Sequence, residues 1–247
     1  EAHRRALTGY CYRMLGSVHD AEDAVQETMV RAWRSADRLD GPDAAKPWLY
    51  RIATNVCLTM LGGRRRRALP MDLVGASSGD HIPDRTLPEV TWLQPVPDGR
   101  VLPVDDGDPA ERAVARESIR LAFVAALQHL PARQRAILIL RDVLRWRAAE
   151  VAELLETTTV SVNSALRRAR AALAERATSP GAGGGTGVPG PDVLPDADKQ
   201  ALLERYVDAF ERFDIERLVT LLHEDVTLDM PPHDLWVQGH ESILRFF

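Results

Sequence analysis

Ala148-Ala149-Glu150-Val151-Ala152-Glu153-Leu154-Leu155-Glu156-Thr157-Thr158-Thr159-Val160-Ser161-Val162-Asn163-Ser164-Ala165-Leu166-Arg167-Arg168-Ala169-Arg170 carries the strongest local signal in this chain of 247 residues. Apolar residues recur at helical spacing on both sides of Glu156–Thr159, which predicts two helices, about 148–155 and 160–174, joined by a tight turn. In the second helix Val162, Leu166, Ala169 and Leu173 make the buried stripe. Asn163, Ser164, Arg167 and Arg168 then lie on the other side, with Arg170 and Arg176 flanking. An amide, a hydroxyl and guanidiniums on one strip are what a helix-turn-helix offers to the major groove, where Asn pairs with adenine edges and Arg with guanine or phosphate. The same strip on any two-helix hairpin is also a solvated arginine-rich face.

Upstream, Ile119, Phe123, Ala126, Leu127 and Leu130 form one stripe, Pro131 starts a new helix, and Ile137, Leu138 and Leu140 continue it. This helical block runs from about residue 110 to 177. Residues 70–109 lose periodicity and gain Pro, Gly and Asp, which predicts a long acidic connector without packing of its own. Within it Trp92-Leu93-Gln94-Pro95 is apolar for a linker and is expected to dock against something. Residues 1–69 read as helices throughout. Leu7, Tyr10, Cys11 and Met14 share a face, Gly16-Ser17 breaks the run, and Asp20 is the expected N-cap of the next helix, with Asp23 supporting its first turn. Ala21, Ala24, Val25, Thr28, Met29 and Ala32 hold that helix's inner face. Pro47 is expected to open a third helix at its first position, with Leu49, Ile52, Ala53, Val56 and Met60 inward and Gly62-Gly63 as its stop.

Downstream, Ser179–Pro195 contains six Gly and four Pro, so residues 178–196 read as a flexible tether. In residues 197–247, Leu202, Leu203, Tyr206, Val207 and Phe210 share one helical face, a second short helix covers about 215–222, and the alternation at 226–230 reads as a strand. Some 50 residues are too few to bury a sheet, so this module is expected to be partial. The chain also begins at Glu1 rather than Met, and a natural start further upstream is expected.

The formal net charge of −5 conceals alternation. Residues 1–69 and 112–177 carry net charges of +4 and +6, whereas residues 70–111 and 178–247 carry −7 and −8. Two cationic helical bodies separated by acidic segments suit modules that touch a polyanion. The two cysteines, Cys11 and Cys57, cannot build a disulfide framework, and no Cys/His cluster has zinc spacing. Both fall in helical patterns, where a buried reduced thiol is expected. No apolar run nears the roughly 20 residues that span a bilayer, and the first residues from Glu1 do not resemble a secretion signal. Membrane and secreted-scaffold classes are thereby set aside, a cytoplasmic protein is expected, and neither cofactor nor metal is called for.

Two further constellations stand out. Trp48, Arg51 and Asn55 share the face opposite the third helix's apolar stripe, with Lys46 before them and Arg64-Arg65-Arg66-Arg67 after the helix end. Aromatic and basic groups together suit unstacked bases and a phosphate backbone. The arginine run is also what a helix dipole favours at a C-terminus, and Trp48 is equally at home in a core. Glu22, Asp23, Gln26, Glu27 and Arg31 form the polar outer face of the second helix, suited to a protein partner or simply to water.

Taken in order, these segments closely resemble bacterial sigma factors of the extracytoplasmic-function type. Residues 12–17 (Tyr-Arg-Met-Leu-Gly-Ser), 20–27, Arg31-Ala32-Trp33 and 48–55 are similar to successive parts of sigma domain 2. Leu127-Gln128-His129-Leu130-Pro131, Arg133-Gln134-Arg135, Glu150-Val151-Ala152 and residues 164–170 are similar to domain 4. The Trp92–Pro95 segment, Tyr206, Met230-Pro231-Pro232, Trp236 and Gly239 resemble the subgroup with a C-terminal domain similar to SnoaL and nuclear transport factor 2. The resemblance implies a mainly α fold: two helical sigma domains joined by an acidic linker, then the start of an α+β module.

It further implies a promoter-specificity subunit and not an enzyme. The helix bearing Asp20, Glu22, Asp23, Gln26, Glu27, Arg31 and Trp33 would dock on the clamp helices of the polymerase β′ subunit, with domain 4 near the β flap. Leu39, Asp40, Gly41, Lys46, Trp48, Arg51, Asn55, Arg64 and Arg65 would take the melted −10 strand. Ser161, Asn163, Ser164, Arg167, Arg168 and Arg170 would read the −35 duplex, and the connector would enter the polymerase channels. An anti-sigma factor or a small-molecule ligand of the last module are further implied partners. Family members often carry Gly in the helix-turn-helix turn where this chain has Glu156, and Arg or Lys where it has Asn163. Two other readings differ in class: a cyclase or isomerase using His223, Asp225, Asp229, His233 or His240 as general base, and a stand-alone helix-turn-helix repressor that leaves Asp20–Arg67 idle.

Overall fold

A computed structural model describes residues 3–39, 41, 44–63, 66–102, 118–177 and 196–247. The chain divides into two compact units: residues 1–67 with 93–176, and residues 68–92 with 177–247. The architecture is mainly helical, as the periodicities predict.

In the first unit α1 (Arg4–Leu15), α2 (Val18–Arg34) and α3 (Ala45–Leu61) pack as a bundle. α1 ends because Gly16 takes the left-handed conformation (φ 71°) and donates to Tyr12 O. A Cβ there would meet Leu93 Cδ1 at 2.6 Å, so the close approach of the Trp92–Pro95 segment also demands glycine. That segment docks as expected: Leu93 is buried, Gln94 N–H donates to Gly16 O (3.0 Å), and Tyr12 Oη–H donates to Gln94 O (2.7 Å). With α1 ended so abruptly, α2 starts at once and its N-cap is Ser17, whose Oγ accepts from Asp20 N–H (3.2 Å). Asp20 is therefore inside the first turn rather than its cap. Its carboxylate pairs with Arg67 (2.8 Å), both side chains being largely shielded. Pro47 is the third residue of α3, not the first; the opening amides of a helix lack acceptors anyway, so proline is tolerated there too.

The core of the bundle is aromatic. Tyr10 and Tyr50 meet edge to face at 5.3 Å, and Tyr10 Oη shares a hydrogen bond with Thr54 Oγ1 (2.8 Å). Burial raises the hydroxyl pKa of Tyr10 well above its ordinary value and that of Tyr50 to about 12. Cys11 and Cys57 are both fully buried free thiols, and a hydrogen bond to Cys11, together with burial, pushes the Cys57 thiol up.

A short helix, α4 (Asp98–Val101), lies against α1, where Gly9 leaves room for Val101 O. The second helical block contains α5 (Leu121–Gln128), α6 (Ala132–Leu138), a π-helical turn (Ile139–Val143), α7 (Ala148–Leu154) and α8 (Thr159–Ala177). It joins the bundle through buried arginines. Arg135 donates to the carbonyls of Met14, Gln128 and Leu130 and to Gln128 Oε1. Arg13 reaches Ser118 O and Oγ, and Gln128 Nε2–H donates back to Arg13 O. Burial lowers both arginine pKa values to about 10, so both stay charged at neutral pH.

The α7–α8 turn follows the expected boundaries. Glu156 adopts φ 52°, and Thr157 N–H reaches back to Ala152 O (2.9 Å), a glycine-type helix end built on glutamate. The left-handed region costs a residue with a Cβ roughly 1–2 kcal/mol, offset in part by glycine's extra entropy. Glu156→Gly is thus expected to stabilise the protein by about 0.5–1 kcal/mol in urea unfolding; a loss of stability would contradict the strain.

In the second unit β1 (Thr227–Asp229) and β2 (Trp236–Gln238) pair antiparallel, with Leu228 opposite Val237. α9 (Asp196–Glu211) packs on α10 (Ile215–Thr220), α11 (Gly239–Phe246) packs on α10 and on β2, and Val219, Val237 and Ile243 form a buried apolar cluster. Neither β2 nor α11 was expected from the pattern. The connector stretch expected to be unpacked contributes instead: Ser77 bridges Val237 in parallel, Thr86 bridges His233, and Trp236 Nε1–H donates to Val74 O (2.9 Å). On the connector side each of these contacts is made by backbone groups, which polar side chains do not forbid. The shared face of α9 is open, with Leu203, Tyr206, Val207 and Phe210 all exposed. Of the tether expected over residues 178–196, residues 178–195 lie outside the described residues, and Asp196 is instead the first residue of α9.

Candidate nucleic-acid interface

α8 is aimed by three local devices. Its first turn is capped by Thr158 Oγ1, which accepts from Ser161 N–H (3.1 Å). α7 is opened by a capping box in which Glu150 accepts from Arg147 N–H (2.7 Å). Arg133 donates to Leu155 O (2.6 Å) and so satisfies the end of α7. Val162, Ala165, Leu166, Ala169 and Leu173 are buried; Ser161, Asn163, Arg167 and Arg168 are exposed and Ser164 half-exposed. Arg168 Nη1–H donates to Ser164 Oγ (2.9 Å), which orients its guanidinium along the strip. Arg170 is exposed but engaged: it clasps Asp142 with two bonds (2.9 and 2.6 Å), fastening α8 to the π turn. Val160, not singled out by sequence, is 76% exposed on the same strip.

The second face lies on α3. Lys46, Trp48, Arg51 and Leu39 line a cleft of about 580 Å³ whose opposite wall includes Trp146, Glu150 and Glu153. Tyr50 stacks obliquely on Trp146 at 5.1 Å. Arg51 lies 3.9 Å from the Glu153 carboxylate and donates to its carbonyl (3.4 Å). The cationic wall of α3 thus faces acidic groups on α7. Gly41 and Asn55 are exposed; Asp40, Arg64 and Arg65 lie outside the described residues.

α2 offers the third face. Asp23, Gln26, Glu27, Arg31 and Trp33 are exposed, Trp33 at 81%, and Glu27 pairs with Arg31 (2.7 Å). Asp20 turns inward to Arg67, and Glu22 pairs with Arg100 (2.8 Å). Val30, exposed beside Trp33, belongs to this face as well. The signal for Val30 and Val160 is the same: an apolar residue off the buried stripe of its helix.

The residues proposed for a general base do not converge. His240 Nε2 meets the carbonyls of Leu222 and His223, and exposed His223 lies 3.9 Å from Asp225. Burial raises the carboxyl pKa of Asp229. Among the described residues no hydrogen bond or ion pair joins Asp229, His233 and His240, and no group of His, Cys, Asp or Glu is arranged to hold a metal ion. No helix among them is long and apolar enough to cross a membrane.

Comparison with known proteins follows this division. Residues 1–67 match Sigma-70 region 2, residues 120–173 match Sigma-70 region 4, and residues 203–247 match a SnoaL-like domain. The ECF RNA polymerase sigma factor SigG of Mycobacterium tuberculosis is 49% identical over 247 residues, covering 99% of this chain and 63% of that relative. This chain therefore spans less than two thirds of that relative's length. SigJ of the same species, also named an ECF RNA polymerase sigma factor, is 30% identical across 100% of this chain and 70% of its own length. The crystal structure of SigJ superposes with a TM-score of 0.58 at 25% identity, covering 99% of this chain and 72% of that one. Sequence, domain order and fold agree, and the chain belongs to the ECF sigma factor family.

Proposed function

We propose that this chain is a promoter-specificity subunit of a bacterial RNA polymerase, acting in the cytoplasm without catalysis of its own. It would bind core polymerase through the α2 face of Asp23, Gln26, Glu27, Arg31 and Trp33. Lys46, Trp48, Arg51 and Asn55 would hold the melted −10 strand, where stacking and phosphate contacts offset the cost of unpairing. Asn163, Ser164, Arg167 and Arg168 would read the −35 duplex, with Arg170 holding the helix through Asp142. The SnoaL-like module would modulate these steps, with a small ligand or an anti-sigma factor as its means.

One observation carries this reading: a capped helix-turn-helix whose outward strip combines an amide, a hydroxyl and two unburied guanidiniums. The elements named −10 and −35 are about 25 base pairs apart, or roughly 85 Å at 3.4 Å per pair. The faces of α3 and α7 touch, with Arg51 3.9 Å from Glu153. Promoter binding therefore requires the two helical bodies to separate, and the polymerase would hold them apart. A stand-alone repressor has no use for the α2 face.

The test is reconstitution with core polymerase followed by binding to promoter duplexes. Co-purification with core is expected, which a repressor would not do. Arg168→Ala is expected to weaken −35 binding by about 1–3 kcal/mol. Unchanged affinity would remove Arg168 from the readout.

A further inference from the structure

Val160 is the anomaly on the outward strip of α8. An exposed β-branched residue in the first turn of a helix gains nothing from packing and loses side-chain freedom, while Ser, Asp or Glu would suit that turn better. At about 100° per residue, Val160 lies roughly 160° around the helix from Val162 at the buried stripe. It is about 40° from Ser164 and about 20° from Arg167, which puts it near the middle of the exposed face. Its exposure of 76% leaves the isopropyl group without cover in the protein. Neighbours on that face are Asn163, Ser164, Arg167 and Arg168, all polar or cationic. A peptide or lipid partner would want a broader apolar patch. A groove with phosphates on both rims and one isolated methyl on its floor matches this arrangement in both charge and shape.

We infer that Val160 is a specificity-determining residue that packs against the C5-methyl group of a thymine in the −35 duplex. This deepens the proposed function and rests on it. The N-terminal residues of a recognition helix are the ones that approach base edges, and among the four bases only thymine carries a methyl in the major groove. Asn163, one turn further on the same strip, suits the adenine edge at a neighbouring step. The −35 element should therefore contain adjacent A·T pairs, with the methyl of one thymine facing Val160. Covering a single methyl contact is worth about 0.8 kcal/mol or somewhat more, which corresponds to about three- to tenfold in affinity.

Substituting deoxyuridine for thymine removes that methyl and nothing else. Core polymerase reconstituted with the full chain would first select duplexes from a pool randomised at the −35 and −10 blocks. Each thymine of the selected −35 sequence is then replaced by deoxyuridine in turn. The wild-type holoenzyme should lose about three- to tenfold in affinity at one position. Val160→Ala, which is a better helix former at an exposed site, should bind the two duplexes within about twofold of each other. Val160→Thr, which keeps one methyl, should fall between them. If a −35 motif is selected but no thymine methyl matters, or if Val160→Ala keeps the sensitivity, the inference on Val160 is overturned while the sigma reading stands. If no sequence is enriched at all, both fall.

Discussion

Arg135→Ala is expected to destabilise the protein by about 3–5 kcal/mol, because it takes a buried charged donor away from four neutral carbonyl acceptors. Arg135 is 3% exposed and donates to the carbonyls of Met14, Gln128 and Leu130 and to the Gln128 side chain. Truncation strips four acceptors at once. Each buried group left unsatisfied costs about 1–3 kcal/mol, reduced where water enters the space. Because Met14 belongs to α1 and the other acceptors to the α5–α6 segment, the loss falls on the junction of the two helical blocks. Urea unfolding of the whole chain measures it, with Arg168→Ala as a surface control expected to stay within about 0.5 kcal/mol. A change below 1 kcal/mol for Arg135→Ala would mean that water satisfies these carbonyls and that the guanidinium is dispensable.

The second large effect is expected at Trp33. A tryptophan 81% exposed on a helix whose inner face is fully packed has no structural task. Val30 beside it is exposed too, and Asp23, Gln26 and Arg31 provide a polar surround. That is the composition of an interface anchor: an aromatic centre with a polar rim. Trp33→Ala is expected to weaken binding to core polymerase by at least about 2 kcal/mol, or roughly 30-fold, without lowering stability. Equal affinity for core would place the docking surface elsewhere; loss of both affinity and stability would make Trp33 a packing residue.

The helical blocks and the helix-turn-helix were legible in the sequence because one face of each helix is buried, and burial leaves a periodic trace. Val162, Leu166, Ala169 and Leu173 predicted the orientation of α8, and the outward strip followed. The pattern points to Asp20 as the N-cap of α2 where the structure has Ser17, because both residues are good caps and only the left-handed Gly16 decides how early the helix begins. Residues 70–92 read as unpacked because their contribution to the second unit is made by backbone groups at Ser77, Thr86 and Leu87, which no side-chain pattern reports. The α9 stripe was readable as helix but not as exposed, since period alone does not say whether anything covers a face.

Of the candidate site, Asn163, Arg167 and Arg168 stand where spacing put them. Arg170 drew a partner, Asp142, that lies 28 residues away and cannot be foreseen from local spacing. Asp20 and Glu22 likewise turn to Arg67 and Arg100. The facing of Arg51 and Glu153 across the cleft is a tertiary fact that joins two separately readable blocks.

Transcription from a reconstituted polymerase is the measurement closest to the centre of these claims. Core enzyme alone and core enzyme with this chain would be run on a bacterial genomic fragment library, and the 5′ ends of the products mapped. Discrete start sites are expected only with the chain present, each preceded by a shared pair of motifs about 25 base pairs apart, and Arg167→Ala with Arg168→Ala should abolish most of them. Products indistinguishable from those of core enzyme alone, on every fragment, would contradict a role in promoter selection.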